Sequence, residues 1–411
     1  MYIKIVLLIF FFLSFISPLN SKERYTLEIP DEIQIKLNNK NYNRYIRNGM
    51  RAFVDGSTTE LANIKKKYKK WIKADIVLNS QEEKKIQAKI RIMGDWKDHL
   101  RLPLTSLKVK IMNDDFYGVR RFNLFLPHTR KGTNEVFWTL LLRYVGFPTF
   151  YTKIIEVNFN GQKYKAIFQE DATKEFLERN SFRETVILKN NDFDFYLNEE
   201  SKDVYNKFFS RSIIIDNNNF LDHEIATNIA SEAIALHSAK DFDNRILNED
   251  FYKKINMKYA KHSLGKVNRK FIFIPHKKIF VPLYYDGMVE FPIGKTNCSI
   301  KSNEKIFEKF SNEYNKLSKK NLSKMERCVF YEVFSLYENQ NIATVKKQPI
   351  NLNYKFNPKY SIIKEKILSY LKNNDSINKI NKSGMLYSFL KNNKYYLCEL
   401  NIETENINGC Q

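Results

Sequence analysis

The sequence predicts an α+β protein with a β-rich first half and a helical second half. Three observations lead there. Between Lys84 and Lys189, short runs of apolar residues alternate with polar ones and are separated by turn formers. After Pro292 the apolar spacing changes to the three-and-four period of helices. A hydrophobic content of 43%, with 14% aromatic residues over 411 positions, suits a packed core and excludes a disordered chain. That length holds two or three domains, or one large irregular one. The expected divisions are a leader or anchor at 1–21, a basic extension at 22–84, a β-rich unit at 85–200 and a mainly helical remainder at 201–411.

Met1–Ser17 reads MYIKIVLLIFFFLSFIS, with one lysine ahead of a run interrupted only by Ser14. This is the pattern of a secretory leader. It is shorter than the roughly twenty apolar residues of a spanning helix. No small-x-small cleavage site follows, so an uncleaved anchor is the other reading. Either way the rest is expected outside the cytoplasmic membrane, in the periplasm or at the cell surface. Membrane association is expected only through this segment.

Net charge is +22, from 68 Lys and Arg against 46 Asp and Glu. That sign favours anionic partners such as phosphate-bearing ligands or an anionic surface. The lysines are spread along the chain, which suits a solvated surface, and nucleic acid is not the expected partner. Cys298, Cys328, Cys398 and Cys410 allow two disulfides, in any of three pairings, or free buried thiols. Their spacing matches no zinc site. There is no repeat, Walker loop, GxGxxG, HExxH or GxSxG, and the six histidines lack ligand spacing.

The elements follow in order. Glu23–Ile35 is strand-like. Leu61–Ile76 has helical spacing on one face and lysines on the other, suited to solvent or to an anionic surface. Lys84–Met112 is a hairpin broken at Gly94-Asp95, and Phe122–Phe125 is a strand. Val136–Val145 is a helix stopped by Gly146. Ile154–Asn158 and Tyr164–Phe168 flank the Asn160-Gly161 turn. Thr173–Glu178 starts a short helix, Thr185–Lys189 is a strand, and Asp192–Asn219 is a polar insertion. Phe220–Leu236 is a helix, and Lys270–Ile274 and Ile279–Tyr285 are strands. Glu304–Leu317, Leu322–Tyr337 and Tyr360–Leu371 are helices, and Met385–Leu400 ends in a strand pair.

Chemistry concentrates in two loops. The first is LHSAKDFDNRILNED, Leu236–Asp250, where Asp241, Asp243, Asn244 and Arg245 precede the apolar pair Ile246 and Leu247, read as the start of a strand. The second is FVPLYYDGM, Phe280–Met288, where an apolar strand ends in Asp286-Gly287. Kinases use this layout: one acid orients the substrate hydroxyl, and an amide and a second acid hold magnesium on the phosphates. The same residues are also ordinary turn formers.

In sequence order these pieces resemble the spore-coat-protein-H-like (CotH) kinase family, over about Lys89 to Glu290. The matching segments are Arg91–Gly94, Ser106–Lys110 (SLKVK), Gly118 with Arg121–Leu124 (RFNL), Glu135–Gly146 (EVFWTLLLRYVG), Asn160-Gly161 with Glu170, Asp241–Leu247 and Pro282–Gly287. The resemblance implies an atypical protein-kinase-like fold of two lobes, using ATP and magnesium. It implies transfer of phosphate to a hydroxyl of a protein or cell-surface polymer. Gly94 would let backbone approach the phosphates, Lys108 would hold them, and Glu135 would orient Lys108 by an ion pair. Lys110 competes with Lys108, Gly94 is also a plain turn, and Glu135 is also a first-turn dipole partner. Asp241 or Asp243 would be the catalytic acid, and Asn244 and Asp286 would hold the metal. These acids would repel one another without the metal, so removing one by Asp286→Asn should leave folding intact or slightly improved.

Two departures matter. Ala239 stands five residues before Asn244, where the family has an Asp. Asp241 fits only with two residues deleted, and Asp243 has kinase spacing to Asn248 instead. In the second loop Tyr284 replaces the family's first acid. If that acid is the essential metal ligand, the chain is an inactive envelope scaffold; if the second is, Asp286 suffices. A basic polysaccharide- or lipid-binding surface protein is the remaining alternative.

Overall fold

A computed structural model describes residues 27–60, 62–78, 84–190, 213–217, 220–221, 224–237, 242–265, 268–291 and 303–339, and strands at 385–391, 394–400 and 407–410. The fold is α+β. Its first half closes into a seven-stranded barrel. In order around the barrel these are β1 (Glu32–Lys36), β2 (Ile72–Leu78), β3 (Lys84–Ile92), β6 (Leu107–Ile111), β7 (Arg121–Phe125), β9 (Gln162–Glu170) and β8 (Thr152–Phe159). The short β4 (Leu100–Arg101) and β5 (Leu104–Thr105) form a hairpin between β3 and β6. β1 pairs in parallel with β8 and closes the ring, leaving no open edge. Alternation makes the strands two-faced: Ile90, Val109, Phe122, Leu124 and Phe168 are fully buried in the main core. Asn160 (φ 47°) and Gly161 (φ 90°) both take the left-handed region in the β8–β9 turn, as the Asn-Gly pair predicts.

α1 (Asn39–Val54) follows β1 and is capped by the Asn38 side chain, which accepts from the Asn41 amide at 2.9 Å. α2 (Thr133–Tyr144) is buried without a break from Glu135 to Leu142. Such a helix needs partners on every side. It has the barrel on one side and later helices on the other. Phe137 meets Phe310 edge-on at 5.4 Å, and the Trp138 indole donates to Asn256 Oδ1 at 3.0 Å. Gly146 (φ 89°) ends its last turn as expected.

The second half contains a seven-stranded antiparallel sheet. Its order is β13 (Ile279–Leu283), β12 (Lys270–Ile274), β10 (Ile187–Asn190), β11 (Ile213–Ile215), β14 (Met385–Lys391), β15 (Lys394–Leu400) and β16 (Ile407–Cys410). Helices α3 (Lys174–Arg179), α4 (Glu224–His237), α5 (Glu249–Tyr259), α6 (Glu304–Ser318) and α7 (Lys324–Glu338) complete the described elements. Ser323 and Glu326 form a reciprocal capping box at the start of α7. The barrel meets this sheet where Phe150, Ala172, Phe176 and Leu177 pack on Ile187, Ile272, Val281 and Leu283.

Several expectations need correction. Leu61–Ile76 is not a helix; it is a turn at Lys66–Tyr68 followed by β2. β1 and β2 supply two barrel strands, so residues read as a basic extension are structural. Among the described residues the second half has more helix than strand, and long-range pairing gathers strands as far apart as β10 and β14 into one sheet. Ile246 makes a single bridge to Phe280, and the chain then enters α5, where a strand was expected. Ile213–Ile215, read as insertion, is the strand β11. Met1–Ser17, Tyr360–Leu371 and most of Asp192–Asn219 lie outside the described residues. Among the described residues no helix is long and apolar enough to cross a membrane. Cys328 and Cys398 are disulfide-bonded, and no described cysteine is free.

Candidate functional site

The strand register builds a polar row across one face of the barrel. Arg91 on β3 stands opposite Lys108 on β6, and Lys108 opposite Asn123 on β7. Asn123 faces Gln169 on β9, and Gln169 faces Thr152 on β8. Directly paired residues share a face of the sheet. The row is continuous across five strands, and Asn123, Gln169 and Thr152 are buried. Asn123 Oδ1 and Gln169 Oε1 have no hydrogen-bond partner, an arrangement that buried amides rarely tolerate.

The two candidate lysines differ in burial: Lys110 is exposed, whereas the Lys108 side chain is 15% exposed. Its Nζ lies 2.6 Å from Asp171, which follows β9 directly, and the Arg121 Nε lies 2.5 Å from the same oxygen. Burial pulls the Lys108 ammonium down to about 8, despite Asp171. Burial pushes Asp171 up, but Arg121 and Lys108 more than offset it, and the carboxyl ends well below the usual range. Across the junction, Lys270 on β12 pairs with Asp216 at 2.6 Å and lies 3.9 Å from the centre of the Tyr285 ring. Two buried cation–carboxylate groups thus face each other between the barrel and the second sheet. Asp171 and Asp216 each feel the other's charge.

Glu135 does not pair with Lys108. It is fully buried, and the Tyr284 hydroxyl donates to its Oε2 at 2.7 Å. The Gln169 amide donates to its Oε1 at 3.2 Å. The Tyr284 oxygen also accepts the Gly287 amide at 2.9 Å. Tyr284 therefore ties α2 to the Asp-Gly loop. Gly287 is needed for this close approach, since a Cβ there would lie 2.4 Å from the Tyr284 hydroxyl and 2.7 Å from Ala260 Cβ.

Burial lifts the Glu135 carboxyl to about 7. In the unfolded chain it ionises near 4.5, so between ~4.5 and ~7 the folded state holds the extra proton. Its contribution to stability falls as pH rises through that window and is level on either side. The Glu135→Gln protein is expected to lack this decline when urea unfolding is followed from pH 4 to 8. Parallel pH slopes in parent and variant would refute the assignment.

Asp286 is buried in a left-handed conformation, φ 49°, a strained position for a residue with a side chain. Arg130 forms an ion pair with its Oδ2, and the Arg130 guanidinium donates to the Tyr285 hydroxyl at 3.0 Å. The His262 Nδ1 lies 2.8 Å from the Asp286 carbonyl. Burial pushes the Asp286 carboxyl up, and Arg130 with His262 brings it below the usual value. The expected repulsion between acids is thus replaced by a cation partner. Asp286→Asn is accordingly expected to weaken folding.

Gly94 takes φ 100°, and the ring of His99 fills the space a Cβ would need, at 2.1 Å. His99 senses the charges of both Arg130 and Asp286, so the Gly94 turn and the Asp-Gly loop share one region. Asp243 and Asn244 lie exposed in the turn after α4, and Asp243 comes within 3.9 Å of Lys253. No described hydrogen bond or ion pair joins them to Asp286. Asp241 lies outside the described residues.

Magnesium binds through one or two carboxylates plus substrate phosphates. Asp286 Oδ1 makes no close hydrogen bond and has His262 Nδ1 at 3.7 Å, so it is the carboxylate oxygen on which a divalent cation would compete with His262. Among the described residues no three His, Cys, Asp or Glu side chains form a metal-binding group. Sequence reasoning gave no role to Arg121, Asp171, Asp216, Lys270, Arg130 or His262. Arg121 left a trace as the first residue of the matched RFNL segment, and Asp171 as the acid next to the matched Glu170. No protein-family model and no curated protein matches this chain.

Proposed function

We propose that the chain is an exported CotH-like kinase that transfers phosphate from ATP to a hydroxyl of a protein or cell-surface polymer. What supports the reading is the largely buried Lys108–Asp171–Arg121 group, in which Lys108 belongs to the polar row that reaches α2 through Gln169 and Glu135. In this proposal a nucleotide phosphate takes the place of Asp171 on Lys108. Asn123 and Gln169 offer their free carbonyl oxygens to the nucleotide's polar edge. Asp286 Oδ1 would hold magnesium, which neutralises charge on the transferring group when bound. Asp241 or Asp243 would orient the acceptor hydroxyl, with Asn244 as the second metal ligand. Arg130 holds the Asp286 carboxylate ionised for this purpose.

The inactive-scaffold reading has its own support. Tyr284 stands in the family's acidic position and is bonded to both Glu135 and Gly287. A protein that keeps the fold without transfer would retain such contacts.

Magnesium-ATP is expected to raise the melting temperature of the parent and not of Lys108→Met. Transfer of the γ-phosphate to an acceptor separates the active reading from the scaffold. No melting shift in the parent sinks the kinase reading and leaves the scaffold.

A further inference from the structure

α1 presents an exposed face unlike that of an ordinary solvated helix. Arg44, Arg47 and Arg51 are exposed and share one face by their three- and four-residue spacing. At its C-terminal end Met50 is 56% exposed, Phe53 40% and Val54 66%. The residues buried toward the barrel are Tyr45, Gly49 and Ala52, so the apolar trio faces away from the core. The lysine turn is fastened beside that end. Asp55 draws in Lys65 at 2.8 Å and Lys67 at 3.0 Å, and Tyr68 donates to it at 2.7 Å. Lys65, Lys66, Lys67 and Lys70 remain exposed, followed by the half-exposed Trp71. From Asn39 to Lys70 nine basic residues face two acids, Asp55 and Glu60.

We propose that this end of α1, with the lysine turn clasped to it, seats the protein on an anionic phospholipid surface. Interfacial helices combine a cationic rim with apolar side chains that enter the headgroup–acyl boundary. The arginines and lysines suit the headgroup charge, and Met50, Phe53 and Val54 suit the layer beneath it. An acidic polymer would use the cations and leave the three apolar side chains in water. A solvated surface explains neither set. The sequence suggested a helix at Leu61–Ile76 suited to solvent or to an anionic surface; the amphipathic helix is α1, and that tract supplies its basic rim.

The test uses the full chain with phosphatidylcholine vesicles, with and without phosphatidylglycerol, read by sedimentation. The quantity followed is the affinity for the phosphatidylglycerol vesicles, compared between parent and variants that all carry the same Met1–Ser17. Two variants are compared: Met50→Ser with Phe53→Ser and Val54→Ser, and Arg47→Glu with Arg51→Glu. All five side chains are exposed, so melting temperatures should match the parent. The parent is expected to bind these vesicles more tightly than neutral ones, and each variant to bind them about tenfold or more weakly than the parent. Equal affinity in parent and either variant overturns the proposal. Affinity lost on charge reversal but kept by the serines overturns it because an acidic polymer would then fit the surface better than a bilayer.

Discussion

Asp171→Asn is expected to cost about 3 kcal/mol of folding stability, the lower end of the range for breaking a buried ion pair. Asp171 is 6% exposed and accepts from both Lys108 and Arg121. Without its charge, two cations a few ångströms apart face each other with no carboxylate between them. The Lys108 and Arg121 side chains keep 15% and 20% exposure, so water relieves part of the cost. Urea unfolding at neutral pH measures it, and a loss below about 1 kcal/mol would show the group to behave as a solvated surface pair. The same change favours anions. A nucleotide phosphate no longer displaces a carboxylate, so magnesium-ATP should raise the variant's melting temperature more than the parent's.

Arg130→Ala is expected to be as damaging or worse, at about 3–5 kcal/mol. The guanidinium lies 4.3 Å from the Phe125 ring centre and 5.1 Å from that of Tyr285, so its packing is lost with its charge. Asp286 would keep only His262 as a cationic neighbour. In the parent the depressed Asp286 carboxyl contributes stability above its unfolded value of 3.8, lost as pH falls through the folded one. In the variant burial dominates and the carboxyl rises above 3.8, so its contribution falls as pH rises through a window above that value and acid is protective there. Magnesium should restore part of the lost stability if Asp286 Oδ1 accepts a divalent cation. Melts at pH 4 and 7, with and without magnesium, test both points; a variant as acid-sensitive as the parent contradicts the pairing.

Most barrel strands were legible because they carry a two-residue alternation of their own or end in turn formers. Leu61–Ile76 misled for a specific reason. Ile64, Tyr68, Ile72 and Ile76 repeat every four residues, which suits a helix, while Ile72, Ala74 and Ile76 alternate as a strand. Pairing with β1 and β3 decides between them, and local spacing carries no trace of partners so far away. α1 escaped notice because Met50, Phe53 and Val54 blur its apolar stripe. In the site, Lys108, Glu135 and Asp286 were picked out by motif, and the structure buries Glu135 and Asp286 and leaves the Lys108 side chain 15% exposed. Their partners could not be read. Lys108 finds Asp171 through the β6–β7–β9 register, and Asp286 finds Arg130 across more than 150 positions. Side-chain pairing of that reach is a property of the fold.

The most direct measurement is a structure of the full chain with magnesium and a non-hydrolysable ATP analogue. The account predicts phosphate oxygens within hydrogen-bonding distance of Lys108 Nζ and magnesium on Asp286 Oδ1, with Asp171 released toward Arg121. A nucleotide bound elsewhere, with Lys108 still closed on Asp171, would contradict it.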